Sequence, residues 1–331
     1  MHKILKMRVI TGGAGFIGSA ICWKLNQLGR DDILIVDIDR NGTKSNNLEN
    51  LSFGEFIEKD EFLDFLNSDE LSKKIETIYH MGACSSTTES DMNYLKANNV
   101  DYSISLAKWA AANNARFIYA SSAATYGAGE FGFSDDIFLI PELKPLNKYG
   151  LSKQMFDMWV IENNLLNKFV GLKYFNVFGP NENHKGEMRS VVNKSYEQIK
   201  KTGKMGLFKS YNPEYKNGGQ KRDFIYIKDA VEMTTFFDTF NPGFNQSGIF
   251  NIGSGKAITW NDLAKAIFKA MSLEPCIEYI EMPENLKEQY QYFSEADITK
   301  LRKAGYKNKI ISIEESVCDY VKNYLAAGKY L

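Results

Sequence analysis

The stretch Gly12-Gly13-Ala14-Gly15-Phe16-Ile17-Gly18 constrains this chain more than any other. It follows a β-rich run at residues 8–11 and leads into Ile17, Ile21, Leu25 and Leu28, which recur at helical spacing. Strand, glycine turn and helix in that order suit a tight turn at Gly12, close approach of a phosphate at Gly15 and helix-to-strand packing at Gly18. The next apolar run, residues 33–36, ends at Asp37, nineteen residues beyond Gly18, and completes a first βαβ unit. The frame predicts a dinucleotide site, with the pyrophosphate on the helix N-terminus and Asp37 accepting from an adenosine ribose hydroxyl, as NAD binding requires. Arg40 and Lys44 stand just beyond the acid, and Lys59 is a third cation. Together they suit a ribose 2'-phosphate and hence NADP; a solvated basic loop explains them equally well.

The rest of the chain extends the unit. Residues 39–50 are polar and amide-rich, and a stretch rich in Glu, Phe and Leu up to Asn67 reads as helical. Residues 77–81 read as a buried strand ending in Gly82-Ala83-Cys84-Ser85-Ser86, and residues 91–112 as a long helix with Leu95, Ile104, Leu106 and Trp109 on its apolar side. Residues 117–120 form another strand ending in Ser121 and Ser122, 149 to about 164 a helix, and 170–177 a further strand. Strands alternating with helices at this pitch predict an α/β fold, a doubly wound parallel sheet of the Rossmann kind. Beyond it the chain offers helices at 190–201, 259–271 and 313–325, strands at 224–227 and 249–252, a helix from Asp229 and a polar loop at 211–220. The expected organisation is a dinucleotide-binding domain over 1–177 and a smaller, mostly helical substrate-binding domain over 178–331, with 223–255 returning to the main sheet.

Composition narrows the partners. A net charge of -1 over 331 residues gives no reason for a nucleic-acid or membrane surface, so the expected partner is a small molecule. The four cysteines lack any CxxC pairing, which suits a reducing compartment, and three histidines argue against a histidine-rich metal centre. No stretch approaches the ~18 apolar residues of a membrane span, so a cytoplasmic location is the default.

Tyr149-Gly150-Leu151-Ser152-Lys153 puts a phenol and an ammonium about one helical turn apart. A phenol ionises near pH ~10, so it accepts a proton at neutral pH only where a fixed positive charge stabilises the phenolate.

GGAGFIG, Ser121-Ser122-Ala123-Ala124-Thr125-Tyr126-Gly127, YGLSK and Lys221-Arg222-Asp223-Phe224 resemble the extended short-chain dehydrogenase/reductases that act on nucleotide sugars. GACSSTTE (82–89), KYFNVFGP (173–180) and His184-Lys185-Gly186 are similar to the branch that inverts C6 of an ADP-linked heptose for bacterial lipopolysaccharide. The resemblance runs from about Arg8 to the last helix. It implies that Ser122, Tyr149 and Lys153 are catalytic, Ser122 holding the sugar oxygen and Lys153 binding the nicotinamide ribose and lowering the Tyr149 pKa. Inversion at C6 passes through an aldehyde that must be reduced on its opposite face, so the oxygen occupies two places and two proton-transfer groups are expected. The resemblance makes Lys185 the second.

It also implies cofactor contacts at Gly12, Gly15, Phe16, Ile17, Gly18, Asp37, Lys44, Lys59, Gly82, Ala83, Cys84, Ser85, Asn98, Tyr149, Lys153 and Val177. Substrate contacts follow at Ser122, Asn176, Lys185, Arg222 and Tyr290, with Phe208 and Ser210 on the nucleotide side. Arg222 is suited to a diphosphate, because its guanidinium forks onto two oxygens. The implied cofactor is NADP, with NAD as the alternative, and the implied assembly a homo-oligomer, pentameric in familiar members. Three departures stand out: Ile38 after the acid, Glu187 and Lys194 near the expected substrate, and the length of the 211–220 loop.

A 4-epimerase, a dehydratase or a simple dehydrogenase on the same scaffold is the nearest rival. A dehydratase of this kind usually carries Asp-Glu after the catalytic hydroxyl residue, where this chain has Ala123-Ala124. A non-catalytic dinucleotide binder is a second class, against which the intact Ser122, Tyr149 and Lys153 argue.

Overall fold

The computed structural model describes residues 6–38, 42–68, 74–239, 245–287 and 290–331, so Arg40 lies outside the described residues. In chain order the strands are β1 Met7–Thr11, β2 Ile33–Asp37, β3 Glu55–Glu58, β4 Ile75–His80, β5 Arg116–Ser122, β6 Phe169–Tyr174, β7 Asn176–Phe178, β8 Met205–Phe208, β9 Lys221–Tyr226, β10 Gly248–Ile252, β11 Ala257–Thr259 and β12 Ile277–Ile280. Seven of them form one sheet in the order β10-β6-β5-β4-β1-β2-β3, every pair parallel. This is the doubly wound Rossmann architecture. Every residue of β2, β6 and β10 is buried, as expected of strands covered by helices on both faces.

Strand order reverses between β1 and β4, where successive connections leave in opposite directions. Such a switch point opens a crevice at the carboxyl ends of the strands. Thr11 and His80 end the two strands that flank it, paired in register, so the Gly12 and Gly82 turns face each other across the opening.

The structure departs from the sequence reading in three places. Glu55–Glu58 is an edge strand in the stretch that reads as helical, because it runs straight into the helix Lys59–Ser68 and no turn residue marks its end. The run 170–177 is two strands: β6 stays in the main sheet, while β7 leaves at Phe175 for a second, three-stranded sheet of order β11-β9-β7. The region 223–255 divides likewise, β9 joining the small sheet and β10 pairing with β6. A further two-stranded sheet pairs β12 with β8 in parallel. Among the described residues no helix is long and apolar enough to cross a membrane.

The helix Phe16–Gln27 buries Phe16, Ala20, Ile21 and Leu25 and packs against the helix Ile227–Phe236. The long helix begins at Asp91, whose carboxylate accepts from the Asn93 and Tyr94 amides, and carries a π-helical segment, Lys96–Asp101, before Tyr102–Ala112. Asn147 caps the helix Lys148–Glu162 through the Gly150 amide, which sets Tyr149 in its first turn.

Candidate active site

The glycine turn is built so that only glycine fits. Gly12 has a positive φ of 65°, and a Cβ there would lie 2.7 Å from the Gly82 Cα. A Cβ on Gly18 would lie 2.1 Å from the Gly12 carbonyl oxygen. Gly15 precedes the helix as its N-cap without a side-chain cap, and no acid stands in the first turn. The unsatisfied amides and the positive end of the helix dipole therefore remain available to an anion. A cradle of this shape fits a dinucleotide pyrophosphate.

A cleft of about 440 Å³ extends from this turn. Among the predicted residues it is lined by Gly12, Gly15, Phe16, Ile17, Gly18, Asp37, Lys44, Lys59, Gly82, Ala83, Cys84, Ser85, Asn98 and Lys185. A larger cavity of about 660 Å³ lies at the opposite edge of the sheet, around Lys6, Lys74, Arg116 and Lys168, and holds none of the predicted residues.

Asp37 is buried, and both its oxygens are engaged: Oδ2 accepts from the Ala14 amide at 2.9 Å, and Oδ1 from the Ile38 amide at 2.7 Å and the Lys44 ammonium at 2.8 Å. Lys59 donates to Asn98 Oδ1 at 2.6 Å and lies over the Tyr102 ring. The acid that ends β2 is thus paired with a cation at the cleft wall. Ile38 is exposed beside it.

Tyr149 and Ser122 are hydrogen-bonded at the end of β5, with Lys153 one turn further along the helix, and none of the three lines the 440 Å³ cleft. Burial pushes the Tyr149 phenol up; a hydrogen bond with Ser122 pulls it down, and Cys84 adds to the rise. The groups that act on this phenol are thus Ser122 and Cys84, in place of the expected lowering by Lys153. Lys153 instead donates to the Ala120 carbonyl at 2.8 Å. Burial pushes its ammonium down to about 8, against Asp157 and Cys84, which push it up.

Lys185 sits in the helical turn Asn183–Met188, which is kinked at Gly186, φ 54°. Its ammonium lies 5.4 Å from the centre of the Phe16 ring, and burial pushes its pKa down, opposed by Glu182. Lys194, one of the departures, donates to the Glu187 carbonyl at 3.0 Å and so braces the far end of this turn.

The other residues expected to meet the substrate, and Val177 expected to meet the cofactor, lie elsewhere. Arg222 is buried over the Tyr290 ring, 5.3 Å from its centre, and Asn176 donates to the Asp223 carbonyl at 2.8 Å. Ser210 donates to the Asn212 carbonyl at 2.9 Å, Phe208 ends β8, and Val177 packs on the core. None of these six lines the 440 Å³ cleft.

Several positioning residues escaped the sequence reading. Asn99 accepts from the Cys84 amide at 2.8 Å and donates to the Cys84 carbonyl and to Ser152 Oγ, both at 3.0 Å; Ser152 in turn donates to the Tyr149 carbonyl. Two asparagines inside a helix are an unfavourable local choice, which was the available signal. The π-helical segment that contains them turns Asn98 to the cleft and Asn99 to Cys84. His80 receives from Thr11 at 2.7 Å and donates to Ser103 at 2.8 Å, roles set by Ser103 donating to the Asn99 carbonyl. Burial, with Lys153 and Lys59, drives its pKa down to about 3, so the ring stays neutral. Asn47 joins the Ala14 carbonyl, the Asn181 carbonyl and His184 Nδ1 at 2.9 to 3.1 Å, tying the glycine turn to the Lys185 segment.

The switch-point crevice, the glycine cradle and the acid ending β2 define a Rossmann-fold protein of the dinucleotide-binding class. The model of the NAD dependent epimerase/dehydratase family matches residues 8–253, and the chain belongs to that family. It is 51% identical over 322 residues to the ADP-L-glycero-D-manno-heptose-6-epimerase of Nitratidesulfovibrio vulgaris strain Hildenborough, covering 97% of this chain and 99% of that protein. The enzyme of the same name from Fusobacterium nucleatum is 47% identical, with 97% and 98% covered. Among solved structures, the Helicobacter pylori ADP-L-glycero-D-manno-heptose-6-epimerase superposes with a TM-score of 0.77 at 25% identity, covering 98% of this chain and 99% of that one. A UDP-N-acetylglucosamine 4-epimerase from Methanobrevibacter ruminantium shares the fold at a TM-score of 0.78 and 24% identity, covering 97% of this chain and 99% of that one.

Proposed function

We propose that this chain inverts C6 of ADP-D-glycero-D-manno-heptose to give ADP-L-glycero-D-manno-heptose, a step in making lipopolysaccharide heptose. The near full-length identity to enzymes of that name carries the reading. The presence of Lys185 in the same cleft as the glycine cradle supports it, since a 4-epimerase has no need of a lysine there.

A bound nicotinamide dinucleotide supplies the hydride acceptor and donor. The chain supplies the rest. Gly12, Gly15 and Gly18 admit the pyrophosphate, and the helix Phe16–Gln27 directs its amides at it. Ser122 holds the C6 oxygen as it changes between carbinol and carbonyl, and Lys153 holds the dinucleotide ribose. Tyr149 and Lys185 serve the two oxygen positions, one taking the proton as the aldehyde forms and the other returning a proton as the carbinol re-forms. Their opposite shifts, the lysine down and the phenol up, favour Lys185 as the group that gives up its proton first. Asn176, Arg222, Tyr290, Phe208 and Ser210 bind the ADP-sugar in the lobe beyond residue 178, where buried Arg222 meets the diphosphate.

NADP is the proposed cofactor. The Lys44 ammonium, 2.8 Å from Asp37 at the cleft wall, is the cation that would meet a ribose 2'-phosphate and supports that reading. A homo-oligomer is also proposed, because the outer face of the helix Lys148–Glu162 leaves Leu151 exposed, and Met155, Met158 and Trp159 half-buried, along a shallow groove with Val100 and Ile104.

Proton NMR of ADP-D-glycero-D-manno-heptose incubated with the purified protein tests the reading: the C6 configuration inverts. Recovery of unchanged substrate by a protein that retains its dinucleotide would overturn it. Denaturing the protein and identifying the released dinucleotide decides NADP against NAD.

A further inference from the structure

Behind Lys153 and Ser122 lies an ion pair to which neither the dinucleotide nor the sugar has been assigned. Asp157 and Lys173 are both completely buried, with Nζ 2.7 Å from Oδ2. Asp157 sits one helical turn beyond Lys153, and Lys173 lies on β6 directly opposite Ser121 of β5. Asp157 also accepts from Ser121 Oγ at 2.7 Å and Tyr119 OH at 3.0 Å. Lys173 donates in addition to Thr125 Oγ1 at 2.7 Å, and Thr125 donates to the Ser122 carbonyl at 2.7 Å.

These contacts join the helix that carries Tyr149 and Lys153, the end of β5 with the turn that follows Ser122, and β6. A buried ion pair is a poor device for stability alone, since an apolar pair of similar volume is often as stable or more so. Its placement has another consequence. The carboxylate is the negative group nearest Lys153 on its own helix, and the ammonium reaches Ser122 through a single hydroxyl.

We propose that Asp157 and Lys173 are positioning residues for the reaction: Asp157 keeps Lys153 charged in a buried site, and Lys173, through Thr125, fixes the turn that presents Ser122. The inference rests on reading Ser122, Tyr149 and Lys153 as the reaction centre. The titratable groups around Lys153 include Tyr149 and Asp157 on its own helix, Cys84 in the turn after β4, His80 at the end of β4 and Lys173 on β6, whose ammonium pairs with Asp157. His80 is neutral, so Asp157 supplies the larger countering charge, with Cys84 the smaller. Removing that charge lowers the pH at which Lys153 loses its proton.

The test uses the full-length protein with its bound dinucleotide. Asp157→Asn is expected to move the basic limb of the pH–kcat profile down by about one pH unit and so to lower kcat for C6 inversion about fivefold at pH 8, with KM little changed. Adding Lys173→Met removes the uncompensated ammonium, so the double variant should recover part of that movement. Thr125→Val should reduce kcat a few-fold without moving the limb. A folded Asp157→Asn protein with the parental limb overturns the proposal, as does a limb equally displaced in the single and double variants. Where Asp157→Asn fails to fold, the charge-neutral double variant decides, and a parental limb there overturns it. Lys153→Met separates this failure from failure of the underlying reading: full turnover in that variant removes Lys153 from the reaction centre altogether.

Discussion

The two proposed proton-transfer groups are held in contrasting ways. Tyr149 lies in the first turn of a fifteen-residue helix, capped by Asn147 and tied through Ser152 and Asn99 to the Cys84 backbone. Lys185 lies in a six-residue turn kinked at a glycine, held from outside by Asn47 through His184 and by Glu182. One is part of the scaffold. The other is a local addition at the carboxyl edge of the same sheet. On the proposed mechanism the contrast teaches that the acid returning the proton belongs to the scaffold, whereas the base that starts the oxidation comes from the loop after β7 on the opposite side of the sugar.

Removing either group is the harshest test. Tyr149→Phe and Lys185→Met should each lower C6 inversion by ~10² to 10⁴-fold, the usual range for a lost general acid or base. Dinucleotide content measured on the denatured protein should be unchanged in Lys185→Met, because the glycine cradle is untouched. Comparable losses sustain the two-group reading, and an active Lys185→Met protein breaks it.

Gly18→Ala attacks what both groups share. Its Cβ would meet the Gly12 carbonyl at 2.1 Å, so the helix must move off the turn. Overpacking of this kind costs roughly 1 to 3 kcal/mol, visible as a lower Tm, and the displaced helix N-terminus should lose most dinucleotide affinity. Retained affinity by calorimetric titration would mean that the phosphates are held elsewhere.

A pH series separates the scaffold side from the loop side. Lys153 is pushed down to about 8 from an ordinary value near ~10.4, so its charged form, which the proposed mechanism uses, is lost as pH rises through about 8. kcat should fall there. Stability should move the other way: between about 8 and ~10.4 the unfolded chain binds the proton more readily than the folded one, so Lys153 penalises the folded state progressively less as pH rises. Activity and Tm compared with those of Lys153→Met across that window reveal both signs, and a kcat that stays flat through pH 9 would remove Lys153 charge from the rate.

How much of this the chain spells out depends on whether a residue acts through local pattern or through distant partners. Gly12, Gly15, Gly18 and Asp37 are readable because strand, turn and helix are contiguous and sterically demanding. Tyr149 and Lys153 are readable from their spacing, and Lys185 only through resemblance. Asn47, His80, Asn99, Asp157 and Lys173 are not, since each acts through partners far along the chain, as Asn47 does with Asn181, 134 residues away. The strand Glu55–Glu58 was hidden for a simpler reason: four residues with a single fully buried position carry too little periodicity to stand apart from the helix that follows. The departure at Lys194 gains an account only in three dimensions, as a brace on the turn that carries Lys185.

The smallest expected effect falls on the loop side and probes the contrast most finely. Glu182 is buried, accepts from the Ser190 amide and hydroxyl and from Tyr320, and is the charge that raises Lys185 against the lowering effect of burial. Glu182→Gln keeps the shape and removes the charge, so Lys185 should release its proton at lower pH. Any limb of the kcat profile set by Lys185 should then move to lower pH, while the limb set by Lys153 stays in place. At pH 7 kcat should change no more than a few-fold, because the amide oxygen of the substituted side chain can still accept from the Ser190 and Tyr320 hydroxyls, and only the Ser190 N–H loses its partner. Movement of both limbs together would mean that the two sides are electrostatically one site, and movement of neither would remove Lys185 ionisation from the rate.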